Sequence, residues 1–397
     1  MLSTLPDTLE RTQHELRFQL ALGAVFIATK GYAASEVENV YIRAQTLCQA
    51  LGEMARLPQV LLGLEAYYVV KAQLRRAHEL AEQCLALAQR LQHPVRLLHS
   101  HHALGGILFH LGEAAAALHH LEQGIILYDA QPHHPRHTLQ NPGVACRAYA
   151  ALALWWLGYP EQALQRSREA LALAEALAHP HSTAYALCCT TVLHQYRREA
   201  QRARERAAAA MALATEHAFP FWYAMGTYLY GWALTEEGQE EDGITQIRQG
   251  LTAWRATGAA LFLPMYLATL AEVSGKTGQW EEAQDLLREA LALVEDTGER
   301  FWEAELYRLQ GIVLLQQAPS DTSRATACFQ QALNVAVRQH AKSLELRAAV
   351  SLSRLWQQED KRAEAYALLA PVYGWLAEGF DTADLQEAKT LLEELGR

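Results

Sequence analysis

The chain has 397 residues, more than one ordinary hydrophobic core organises, so several domains or a repeat array is expected. Hydrophobic residues make up 51% and charged residues 20%, with only 12 prolines and 23 glycines, a mix that favours helix. A formal net charge of −10 disfavours nucleic acid as a partner, and no run approaches the ~18 uninterrupted apolar residues of a membrane span.

The first residues, MLSTLPDTLERTQHEL, lack the basic start and apolar run of a secretion signal. The cysteines at 48, 84, 146, 188, 189 and 328 form no C-x-x-C pair and fall where helices would pack. They suit a reduced, cytoplasmic, soluble protein.

Along the chain one spacing recurs. The motif G-x-x-x-x-A runs from Gly112 to Ala117, Gly158 to Ala163 and Gly278 to Ala283. Its second position is followed through Val37, Ala77, Ala117, Ala163, Ala203, Gly243, Ala283, Ala325 and Ala365, in steps of 40, 40, 46, 40, 40, 40, 42 and 40. Seven residues beyond these markers, eight of nine positions are small, as at Cys84, Gly124, Ala170, Ala210, Gly250 and Ala290. An offset of seven keeps one helix face, and small residues let two helix backbones approach. Gly105, Ala151, Gly231 and Ala271, twelve before a marker, supply the matching small position on a preceding helix. The unit is a helical hairpin repeated nine times.

Punctuation agrees. Pro94, Pro180 and Pro220 suit the first turn of a helix, while Gly258 and Gly298 suit a helix stop. Turns are expected near Gly31, Gly112, Gly158, Gly238 and Gly278. The 46-residue step places an irregular, polar, proline-rich loop over 129–142. A final helix over 381–395, with Asp381 or Thr382 as its N-cap, would cover the end of the stack. The expected fold is an all-α solenoid, one domain over 1–397, of about nine antiparallel hairpins plus a capping helix.

Chemistry is sparse. Ser274 to Thr277 (SGKT) resembles the end of a phosphate loop, but Leu270 stands where that loop needs glycine, and a helix precedes it instead of a strand. Ten of the 17 histidines lie between His93 and His137. His99 and His102 share a helix face as weak metal candidates, without a third ligand at a recognisable spacing. Arg197, Arg198, Arg202, Arg204 and Arg206, interleaved with Glu199 and Glu205, read as a solvated outer helix face. No nucleophile–base–acid arrangement is present, so neither catalysis nor a cofactor is expected.

Small residues at these offsets resemble the tetratricopeptide repeat, here longer than its usual ~34 residues. The terminal stretch Trp356 to Leu395, with ATKGYAASEVENVYIRAQTLC, LEQGIILYD, FPFWYAMGTYLYGWAL and GERFWEAELYRLQG, resembles the C-terminal repeat region of a family of bacterial signalling proteins. In that family the repeats follow an AAA/STAND-type predicted ATPase module, often with a class III adenylate or guanylate cyclase domain ahead. No residues here match those two modules. Where the family pattern has a turn glycine before Lys361, this chain has Asp360.

The repeat resemblance places an exposed groove on the first helix of each hairpin. In register it carries His99, His102, Phe109 and His110, then Leu152, Trp155 and Trp156, then Tyr185, Gln195 and Tyr196. Met225, Tyr228, Trp232 and Glu236 follow, then Glu272 and Lys276, Glu305 and Arg308, and Arg347 and Arg354. An aromatic middle and a charged C-terminal end imply a protein or peptide partner held by Trp155, Trp156, Tyr196, Tyr228, Trp232, Glu236, Lys276 and Arg308. The same aromatics could instead close around a small ligand, making the chain a metabolite-sensing regulator.

Overall fold

The structure, a computed structural model, describes residues 8–131 and 140–396. Among these residues there are nineteen helices and no strand. They pair as α1 (Leu9–Lys30) with α2 (Ser35–Leu51), α3 (Leu57–Val70) with α4 (Leu74–Arg90), and α5 (Pro94–His110) with α6 (Ala114–Asp129). Next come α7 (Pro142–Trp156) with α8 (Pro160–Leu177), α9 (Pro180–Tyr196) with α10 (Ala200–Glu216), and α11 (Pro220–Glu236) with α12 (Glu240–Ala256). The last pairs are α13 (Leu263–Lys276) with α14 (Trp280–Thr297), α15 (Glu303–Gln317) with α16 (Thr322–Arg338), and α17 (Lys342–Gln358) with α18 (Arg362–Trp375). The closing helix is α19 (Ala383–Leu395). Most of the expected 129–142 loop, residues 132–139, lies outside the described residues.

The two helices of a hairpin have different burial patterns. Nearly every residue of α9 is buried, whereas α10 buries only the stripe Ala203, Ala207, Ala210 and Ala214. Odd-numbered helices therefore form an inner layer and even-numbered ones an outer layer. The marker positions from Val37 to Ala365 are buried at this contact. At the α11–α12 pair the approach is closest: a Cβ on Gly250 would lie 2.5 Å from the backbone nitrogen of Tyr228. One on Gly231 would lie 2.6 Å from that of Ile247, so only glycine fits either place.

The turns follow the sequence punctuation. Gly31, Gly112, Gly158, Gly238 and Gly278 all have positive φ, and Asp360 takes φ 59° at the turn before Lys361. Pro94, Pro180 and Pro220 each begin a helix. Thr382 is the N-cap residue of α19, but its hydroxyl makes no capping bond and donates instead to the carbonyl of Gly379. Leu385, Ala388, Leu391 and Leu395 seat α19 on α17 and α18.

The superhelix also closes on itself. The last carbonyls of an inner helix have no partner within that helix and must find one elsewhere. Val70 O accepts from the backbone nitrogens of Ala260 and Leu261 at 2.8 and 3.1 Å, and His110 O from those of Arg300 and Phe301 at 2.8 and 3.2 Å. One step along, Ser343 Oγ donates to Trp155 O across 188 positions, and Arg347 donates to Tyr196 O. Four consecutive inner helices, α3, α5, α7 and α9, thus end on groups supplied by the following superhelical turn. A buried relay reinforces the contact: His110 Nδ1 lies 3.0 Å from Glu299, its Nε2 lies 2.9 Å from the Tyr149 hydroxyl, and Glu299 accepts from Phe262 N.

This closure corrects the open aromatic groove. Trp156 and Tyr228 are 0% exposed, Tyr196 1% and Trp155 2%, so all four are packing residues. Trp155, Trp156 and Tyr196 meet Arg347, Phe301 and Trp302 of the following turn, and Tyr228 packs on the next inner helix, α13. Tyr196 stacks on Trp302 at 4.9 Å and tilts against Trp155 at 4.7 Å, while Tyr228 stacks on Tyr266 at 3.8 Å.

Candidate partner-binding site

The channel enclosed by the inner helices contains a polar cavity of about 180 Å³ in the C-terminal half of the chain. Its walls come from α9, α11, α13, α15, α17 and α19. The structure brings Trp232, Glu236, Lys276 and Arg308 together here, with Gln195, Glu272, Glu305 and Arg347 of the same register. Trp302, Arg198, Asp384 and Glu387 also line it, and the groove register does not contain them. Arg198 reaches it from the α9–α10 turn at φ 59°. Asp384 and Glu387 come from α19, so the closing helix both caps the stack and supplies cavity carboxylates.

Cations and carboxylates alternate around this wall. Lys276 Nζ lies 2.9 Å from Glu236 and 3.2 Å from Glu272; Arg308 lies 2.6 Å from Glu305. Arg347 spans Glu305 at 3.6 Å and Asp384 at 2.8 Å, and Arg198 spans Asp384 at 3.3 Å and Glu387 at 2.8 Å. Burial alone would raise the Glu305 carboxyl, but the guanidinium groups of Arg308 and Arg347 outweigh it and hold the carboxyl below its ordinary value. Burial alone would lower the Lys276 ammonium, yet Glu272 and Glu236 hold it above its ordinary value. Both therefore carry full charge at neutral pH. Each cation has a carboxylate partner, so the wall presents a preorganised set of donors and acceptors with little net field.

Other predicted residues fall elsewhere. His99 and His102 line a separate cavity with His93, and burial pushes each down to about 4, leaving both neutral. No group of three or more histidine, cysteine, aspartate or glutamate side chains among the described residues is placed to hold a metal ion. SGKT ends α13, where Ser274 Oγ donates to Glu282 and Lys276 joins the cavity pairs. The arginine run is not one outer face. Arg197 is buried, donating to Pro160 O at 2.8 Å, and Arg198 points into the channel. No described helix is long and apolar enough to cross a membrane.

Comparison with known proteins fits this architecture. Residues 263–338, which span α13 to α16, match the tetratricopeptide repeat family model. An uncharacterised protein of Rhizobium meliloti (strain 1021) is 26% identical over 340 residues, covering 84% of this chain and 33% of that protein. The chain thus spans about a third of the length of the curated relative it matches. Among solved structures, the Rap protein complexed with competence and sporulation factor superposes with a TM-score of 0.62 at 11% identity, over 96% of this chain and 99% of that one. NprR in complex with its cognate peptide NprX gives 0.56 at 14% identity, over 97% and 99%. The Rap conjugation gene regulator of plasmid pLS20 with the Phr* peptide gives 0.55 at 11%, over 96% of each chain. The fold is a tetratricopeptide-like helical solenoid.

Proposed function

We propose that this chain is a non-catalytic regulatory module that binds a peptide in its channel, with the charged cavity as the principal contact. One observation carries the reading: four cations and five carboxylates line one cavity, which Trp232 and Trp302 also line. A peptide brings charged groups and backbone amides of its own, which suit donors and acceptors already fixed in place, and the indoles provide apolar anchors. Three chain-long structural neighbours were solved with a peptide or factor bound, which supports the same class of partner. The module is further proposed to act as the sensor arm of a bacterial signalling ATPase or cyclase. That step is supported by the resemblance of its segments and by a relative of which this length of chain forms about a third.

Selection of an mRNA-displayed random peptide library on the intact chain tests the first step. Selected peptides should quench tryptophan fluorescence on binding, and Lys276→Met should weaken them about tenfold while leaving the helical circular dichroism unchanged. Failure to select any peptide, or identical affinity for Lys276→Met, would reject it. In a longer protein carrying the nucleotide module, a saturating peptide should change nucleotide turnover.

A further inference from the structure

The charged cavity is one of two different environments in the channel. Towards the N-terminal half, the inner helices α3, α5, α7, α9 and α11 surround an apolar cavity of about 110 Å³ that adjoins a larger one of about 430 Å³. The two share Tyr32, Glu65, Ala66, His102, Ala103 and Gln140 in their walls. Aromatic rings dominate the inner space: Tyr185 meets Trp222 edge-on at 5.4 Å, and Phe221 meets Tyr32 at 5.4 Å and Trp222 at 4.8 Å.

Glu65 is out of place in this wall. It sits in α3, is only 8% exposed, and forms no hydrogen bond or ion pair with another described residue. Burial, with no compensating cation, pushes its carboxyl up to about 8. The basic groups nearby do not serve it. His102 is held neutral by burial, and Arg96 lines only the larger cavity without pairing to Glu65. A lone carboxyl against apolar walls is unfavourable unless something from outside completes it, whereas nearly every other buried acid of the channel has a cation or N–H partner. Aromatic faces around a carboxylate are the arrangement that recognises an organic cation, through charge pairing and attraction to the ring faces.

We propose that this cavity is a binding site for a small organic amine, with its ammonium on Glu65 and its apolar body against Tyr185, Phe221, Trp222 and Met225. The site shares no residue with the charged cavity, so it stands apart from the peptide reading. At neutral pH burial keeps the proton on the Glu65 carboxyl until an ammonium reaches it. Arrival of the ammonium stabilises the carboxylate, and the displaced proton passes to the buffer.

Isothermal titration of the full chain at pH 7 tests this with three probes of similar shape: 2-phenylethylamine, 2-phenylethanol and phenylacetate. The amine should bind about tenfold or more tightly than the alcohol, and phenylacetate more weakly than either. Amine binding measured in buffers of different ionisation heat should release close to one proton. Glu65→Gln should abolish both the preference and the release, while Lys276→Met leaves them intact. Equal binding of amine and alcohol, tighter phenylacetate, an unaffected Glu65→Gln, or no binding of any probe at millimolar concentration would overturn the proposal. If Glu65→Gln does not fold, the proton count on the natural chain decides, and a count of zero overturns it.

Discussion

Replacing Glu65 by glutamine should change how stability depends on pH more than it changes the structure. The side chains are nearly isosteric, and the natural carboxyl has no partner to lose among the described residues. Folding raises this group from 4.5 to about 8, so the folded chain retains a proton that the unfolded chain releases. The stability linked to that proton is complete below pH 4.5 and declines as the pH climbs towards 8. At about 1.4 kcal/mol per pH unit, the loss reaches roughly 3 kcal/mol at pH 7. Glutamine has no such titration. Urea unfolding of both proteins at pH 5, 6, 7 and 8 should therefore show the variant gaining on the parent by about 1.4 kcal/mol per unit. A difference that stays constant across this range would mean that Glu65 is solvated or paired, and the reasoning about its cavity would fail.

Other perturbations report on different parts of the fold. Gly250→Val would drive a Cβ to 2.5 Å from the Tyr228 backbone, so it should destabilise by about 3 kcal/mol or more, read as a lowered melting temperature. Arg308→Met would leave the buried Glu305 only the longer pair with Arg347 at 3.6 Å and should cost about 2–3 kcal/mol in denaturant unfolding, with the double change Arg308→Met, Glu305→Gln recovering much of it. Trp155→Ala should cost about 3–5 kcal/mol because the indole fills the space between turns, so any loss of peptide capture would accompany lost stability. Burial works to raise Glu199, but His194 and Arg197 hold it down at about 2. Its contribution is present above 4.5 and is lost as pH falls towards 2, so Glu199→Gln should flatten acid unfolding in that window.

The hairpin array was legible because its cause is local. Two helices approach closely only where side chains are small, and that requirement repeats at Ala163, Ala203 and Ala283 whatever surrounds them. The charged register was legible for the same reason: Glu236, Lys276, Glu305 and Arg308 follow the pitch of successive inner helices. The winding of the superhelix was not. Its contacts join Val70 to Ala260 and Trp155 to Ser343, and they are made by backbone carbonyls that carry no sequence signature. An aromatic at a groove position therefore looks the same whether it faces a channel, as Trp232 does, or a neighbouring turn, as Tyr196 does. The carboxylates of α19 were missed because that helix lies outside the hairpin register, although Asp384 and Glu387, three apart, already mark one acidic face.

Photocrosslinking tests the peptide-in-channel account most directly. A selected peptide carrying benzoylphenylalanine at each position in turn, followed by mass spectrometry of the linked fragments, maps where it lies on the chain. Crosslinks should fall on α11, α13, α15 and α17, around Trp232, Lys276, Trp302 and Val350. Crosslinks confined to the outer helices α10, α12 and α14 would contradict it.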